Sequence, residues 1–90
     1  MTFSHPRVDP RAIDVTIDAD ELMVTLADGR RVAVPLAWFP KLLHAKQSQR
    51  ENWRLVGDGQ GIHWSDLDED LSVKGLLRGV EAPGASQKAV

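Results

Sequence analysis

The stretch Ile62-His63-Trp64-Ser65-Asp66-Leu67-Asp68-Glu69-Asp70-Leu71-Ser72-Val73-Lys74-Gly75-Leu76-Leu77-Arg78-Gly79 decides how this chain folds. It reads as a short strand ending in Trp64, an acidic turn, and a short apolar helix over Ser72 to Arg78. Gly79 closes that helix, since glycine takes the left-handed conformation that satisfies a helix C-terminus. Leu71, Val73, Leu76 and Leu77 are its packing residues. Ser72 is placed to cap free N–H groups, and the acids before and around the helix start suit the positive end of its dipole.

Working outward, the Trp64 strand has a partner. A two-residue type I′ turn at Asp58-Gly59 sets Leu55 opposite Ile62 and Trp53 opposite Trp64, so every large apolar residue lands on one face. His63 then lies on the other face, opposite Arg54. Upstream, Ile13, Val15 and Ile17 alternate with Asp14, Thr16 and Asp18, and Leu22, Val24 and Leu26 alternate with Met23, Thr25 and Ala27. Both runs predict half-buried strands, with Ile17 opposite Leu22. A third strand, Arg30 to Val34, points Val32 and Val34 inward. Parity chooses the connection: a two-residue Asp28-Gly29 loop would set Val32 opposite Thr25, whereas a three-residue Ala27-Asp28-Gly29 loop sets Val24 opposite Val32 and Leu22 opposite Val34.

Pro35 ends this meander. Leu36, Phe39, Leu42 and Leu43 recur at helical spacing, which predicts a turn over Leu36 to Phe39 and a helix from Pro40 to Lys46. Ser48 and Glu51 have capping-box spacing and predict one further short helical turn. The fold class is therefore α+β: a small single domain with an antiparallel sheet built from a three-stranded meander and a second hairpin, and helices after the third and fifth strands. Residues 12–80 form that domain. Residues 1–11 and 81–90, rich in Pro, Ser, Gly and charge without apolar periodicity, read as flexible tails.

A chain of 90 residues carrying such tails has room for one compact core and no deep two-domain cleft. There is no cysteine, hence no disulfide framework and no thiolate metal site. No charged-plus-apolar leader and no membrane-length apolar run is visible, so the expected location is cytoplasmic. A formal net charge of -2 argues against direct nucleic-acid binding, which usually requires a basic excess.

The segments Ile62-His63-Trp64, Leu67-Asp68-Glu69-Asp70-Leu71-Ser72-Val73 and Leu76-Leu77-Arg78-Gly79 resemble the signature of the bacterial family called domain of unknown function 2442. Leu22 to Leu26 before Asp28-Gly29, Pro35-Leu36, Phe39-Pro40 with Leu42-Leu43, and Gly57 to Gly61 before the Trp64 strand fit as well. The resemblance spans Ile13 to Gly79. It implies a small α+β protein, and small members of that family are often encoded beside another short protein in toxin–antitoxin-like pairs. Longer members carry a helix-turn-helix domain, which is not expected here because the sequence runs only a short way past Gly79. The resemblance implies a partner-binding module and offers no catalytic residue.

The residues agree with that implication. His5, His44 and His63 fall in a tail, a helix and a strand without metal-ligand spacing. Gly57, Gly59 and Gly61 lie between two strands and match no phosphate-binding loop. Ser65 lies beside acids, and it is not read as a nucleophile. Asp66, Asp68, Glu69 and Asp70 put four carboxylates within five positions, enough oxygen to attract a divalent cation, but without the glycine and distal glutamate of an EF-hand. No catalytic, cofactor-binding or metal residue is assigned, no cofactor is expected, and the chain is not read as an enzyme. The interface candidates are Trp38, which falls off the apolar stripe, and the basic residues Lys46, Arg50 and Arg54, which recur every four residues.

The leading expectation is a non-enzymatic protein-interaction module, antitoxin-like, with a small protein partner encoded nearby. A homodimer formed through an edge strand is a further expected mode of association. The alternatives are an accessory transcriptional regulator acting through Lys46, Arg50 and Arg54 or through a DNA-binding partner, and, least favoured, a metal-dependent enzyme using Asp66, Asp68 and Asp70.

Overall fold

The computed structural model describes residues 8–79. The first three strands, β1 (Ala12–Ile17), β2 (Glu21–Leu26) and β3 (Arg31–Pro35), form an antiparallel sheet in chain order. Its register is the one parity requires, with Ile17 opposite Leu22, Leu22 opposite Val34 and Val24 opposite Val32. The three-residue loop is present: the Leu26 N–H donates to the Arg30 carbonyl at 2.8 Å, and Gly29 takes φ of 96°.

One strand departs from simple alternation. Ala12 pairs with Leu26 and Asp14 with Thr25, so Ile13 is an extra residue in a bulge. Ile13, expected inward, is 56% exposed, and the small Ala12 is buried in its place. The bulge coincides with a bond to the second sheet, as the Ala12 N–H donates to the Gly59 carbonyl at 2.7 Å.

That second sheet comprises β4 (Trp53–Val56), β5 (Gly61–Trp64) and β6 (Glu69–Ser72), again antiparallel and in chain order. Trp53 opposes Trp64, Leu55 opposes Ile62 and Arg54 opposes His63. In the β4–β5 turn Asp58 and Gly59 have φ of 59° and 89°, both positive as a type I′ turn requires. Gly57 is also left-handed, with φ of 60°, so two turns overlap: Gly59 donates to the Val56 carbonyl and Gln60 to the Gly57 carbonyl.

β6 corrects the reading of the acidic run as a helix approach. After a 3₁₀ turn at Ser65–Leu67, Asp68 takes the left-handed conformation and the chain folds back along β5. Leu71 faces the core, while Asp70 and Ser72 face out. Charge on the consecutive residues Glu69 and Asp70 hides a period-two signal carried by Leu71 and the stem of Glu69. The architecture is thus two three-stranded sheets with short helices, an α+β single domain.

The helices are shorter than expected. A 3₁₀ turn spans Leu36–Trp38, and α1 covers Pro40–Leu43, stopping before Lys46. The Arg50 guanidinium accounts for that stop by donating to the carbonyls of Leu42 at 2.9 Å and Leu43 at 2.8 Å. The next turn, α2 (Gln47–Arg50), is not opened by Ser48. Lys46 is its N-cap residue, and its backbone N–H donates to the Gln49 side chain at 2.9 Å. Finally, α3 spans Val73–Arg78, with the Ser72 hydroxyl accepting from the Gly75 N–H at 2.9 Å and Gly79 left-handed at its end.

One core joins the two sheets. Trp64, Phe39, Leu22, Leu26, Leu36, Leu42, Ile62 and Val24 are its largest fully buried side chains. β1 lies alongside β4, and α3 lies against both β3 and β6. Those placements cover sheet edges that the sequence left as candidates for pairing with another chain. Of the expected N-terminal tail, Val8–Arg11 is described: the Asp9 N–H donates to the Asp28 carboxylate, and the Arg11 carbonyl accepts from Ala27. The expected tail 81–90 lies outside the described residues. No helix among the described residues is long and apolar enough to cross a membrane.

Two glycines give a graded test of this packing. A Cβ at Gly29 would meet nothing within 4 Å, whereas at Gly59 it would stand 2.8 Å from the Ala12 carbonyl oxygen. Gly29→Ala is expected to cost roughly 1–2 kcal/mol of backbone strain. Gly59→Val adds a backbone clash to that strain and is expected to cost roughly 3 kcal/mol or more. Chemical denaturation of the two variants checks the order; equal losses would contradict the contact between the turn and β1.

Candidate functional site

A concavity forms where the β4–β5 turn meets the start of β1 and α3. Two backbone bonds fix this meeting: Ala12 N–H to Gly59 carbonyl, and Val73 N–H to Gln60 carbonyl at 3.0 Å. Between them opens a groove of about 650 Å³. Pro10, Val73 and Leu77 supply its apolar surface, and Arg11, Lys74 and Arg78 its charge. Among the described residues no carboxylate lines it.

The three cations differ. Arg11 is held by Asp9 at 2.7 Å and approaches Asp58 at 3.5 Å, so its charge is largely spent. Lys74 and Arg78 sit one turn apart on α3 and enter no ion pair among the described residues. Leu77, between them on the same side, is 42% exposed. Chemically this is a recognition surface rather than a reaction centre. The one hydroxyl on it, Ser72, already accepts the Gly75 N–H, and no imidazole or carboxylate stands there to activate it.

A second polar feature runs across the outer face of the second sheet. Arg54, His63 and Asp70 stand side by side on β4, β5 and β6, with His63 Nδ1 and Asp70 Oδ1 2.6 Å apart. A cross-strand row of this kind adds about 0.2–1 kcal/mol per pair to the sheet. Arg54, His63 and Asp70 do not line the groove beside α3.

The acidic run disperses. Asp66 accepts from the Asn52 side chain, the Asp68 carbonyl accepts from Lys41, Asp70 pairs with His63, and Glu69 is turned toward the core opposite Trp64. Burial pushes the Glu69 carboxyl above its ordinary value, with the Lys41 charge opposing that shift. Among the described residues no group of three His, Asp or Glu side chains is placed to hold a metal ion.

The candidates from sequence are not assembled into one surface. Trp38 is half-buried and packs against the core, where a side chain at Gly79 would meet its ring at 3.8 Å. Lys46 is exposed at the start of α2, Arg50 is half-buried over the α1 carbonyls, and Arg54 belongs to β4. The interval of four residues therefore crosses from helix to strand and makes no continuous stripe. Conversely, Leu77, expected among the packing residues of α3, is 42% exposed, and Lys74 and Arg78 carried no expectation, although the spacing of the three places them on one helix face. Pro10 and Arg11 carried no signal, lying in a segment that reads as tail.

Comparison with known proteins agrees with the fold. A family model described as "Protein of unknown function (DUF2442)" matches residues 12–82. No curated protein matches the chain. A crystal structure of a protein of unknown function from Rhodospirillum rubrum is similar with a TM-score of 0.71 and 32% identity, over 83% of this chain and 93% of that one. A solution NMR structure of an uncharacterised protein from Chromobacterium violaceum is similar in fold, with a TM-score of 0.69 and 21% identity, over 82% of this chain and 70% of that one.

The anchoring of Arg11's neighbourhood is open to a pH test. The Asp28 side chain is only 6% exposed and accepts from the Arg30 side chain and from the N–H groups of Asp9 and Arg30. These bonds, the Arg30 side chain foremost, hold its pKa at about 2 against an ordinary 3.8. A lowered folded-state pKa means that its stabilisation is complete above 3.8 and fades as pH falls toward 2. Asp28→Asn is expected to lower the melting temperature at pH 7, with the gap to the parent closing as pH falls from 4 toward 2. A gap that persists unchanged at pH 2 would contradict the role given to this carboxylate.

Proposed function

The chain belongs to the DUF2442 family of proteins of unknown function, and from that premise we propose that it is a cytoplasmic, non-enzymatic protein-interaction module, antitoxin-like, whose partner is a small protein encoded beside it. The observation that carries this reading is the groove beside α3. It couples apolar surface at Pro10 and Leu77 with Lys74 and Arg78, which enter no ion pair among the described residues. Apolar surface bordered by charge has the arrangement of an interface, an apolar centre within a polar rim.

Co-expression with the products of the flanking genes, followed by size-exclusion chromatography with mass determination, tests the module. A stable heterocomplex is expected, together with relief of any growth arrest that the partner causes alone. A free monomer or homodimer with every flanking product would overturn the proposed partner.

A further inference from the structure

We propose that the groove beside α3 takes an acidic segment of a partner protein, with Lys74 and Arg78 pairing to its carboxylates and Leu77 receiving an apolar side chain from the same face of that segment. This deepens the interaction-module reading and rests on it. The first argument is charge. The chain as a whole is acidic, with a formal charge of -2, yet among the described residues this groove is lined by Lys74, Arg78 and the Asp9-paired Arg11 and by no carboxylate. Such a local reversal of sign attracts negative partners and sets their orientation.

The second argument is spacing. Lys74 and Arg78, four apart on a helix, have Cβ atoms about 5–6 Å apart. Carboxylates at alternate positions of an extended segment are roughly 6.5–7 Å apart, a span the flexible stems of Lys and Arg accommodate. Leu77, 42% exposed beside the two cations, then meets an apolar side chain two residues further along the segment, on the same face as the carboxylates. The groove volume of about 650 Å³ lies within the 300–1,000 Å³ typical of binding pockets.

A nucleic-acid backbone fits less well. Duplex DNA presents one charge about every 1.7 Å along its axis, and its binders spread many cations along that track. Among the described residues of the groove only Lys74 and Arg78 enter no ion pair, and apolar Leu77 lies beside them.

The test is an NMR titration of the full chain with the capped hexapeptide Glu-Ser-Glu-Ser-Leu-Ser, whose two Glu and one Leu share a face when extended, its Lys-for-Glu counterpart and a short DNA duplex. Saturating amide shifts centred on Lys74, Leu77 and Arg78 are expected with the acidic peptide only, weakening with salt. Affinity is expected to fall about tenfold in the double variant Lys74→Glu/Arg78→Glu, and measurably in Arg78→Glu alone. Absence of shifts at the groove, an equal response to both peptides, or displacement of the acidic peptide by DNA would overturn the inference. The module reading fails separately. A flanking-gene complex that survives the double charge reversal undiminished defeats the groove and leaves the module. Acidic-peptide binding without any flanking-gene complex keeps the groove and defeats the proposed partner.

Discussion

The hydrogen bond from the Trp64 indole N–H to the Arg50 carbonyl, 2.9 Å long, is the contact on which the rest of the structure depends. Trp64 is fully buried, and an indole sealed from water without an acceptor would forfeit about 1–3 kcal/mol. Its partner is a backbone carbonyl at the end of α2, so the path of the chain between the two sheets is fixed by the needs of one side chain. Arg50 is held in turn by its own guanidinium, which gathers the carbonyls of Leu42 and Leu43. One residue thus caps α1 with its side chain and satisfies Trp64 with its backbone. The short helices, neither longer than four residues, have little intrinsic stability and rely on such tertiary bonds.

The β4–β5 turn performs a comparable task at the other end of β5. Left-handed conformations at Gly57, Asp58 and Gly59 expose the Gly59 and Gln60 carbonyls, which receive Ala12 and Val73. Gly59 is buried, and its missing side chain is what lets β1 approach. The same two bonds place Arg11 across from Lys74 and Arg78, so the recognition groove is a by-product of how the sheets and α3 are joined.

Much of this was legible in the sequence because β-structure with one buried face leaves a period-two record. The pairings of Leu22 with Val34 and Trp53 with Trp64 follow from parity alone. The misses have physical causes. Ile13 keeps perfect alternation in sequence, but a bulge turns it outward, and nothing in the local pattern foretells a bond made to Gly59 far along the chain. In β6 only Leu71 is a buried apolar residue, and its acidic neighbours imitate a helix approach. Arg50 looked like part of a basic stripe because sequence spacing does not reveal a guanidinium turned back onto carbonyls. The groove was half legible, in Lys74, Leu77 and Arg78, and half hidden, in Pro10 and Arg11.

The central structural claim is that both sheets share one core through Trp64 and its bond to Arg50. Native-state amide hydrogen exchange on the parent and on Trp64→Phe measures this most directly. The account predicts that the slowest amides of β2 and β5 open with one common free energy in the parent, and that both fall by the same amount in the variant. Retention of full protection in β2 while β5 loses its own would contradict a shared core and describe two sheets that open independently.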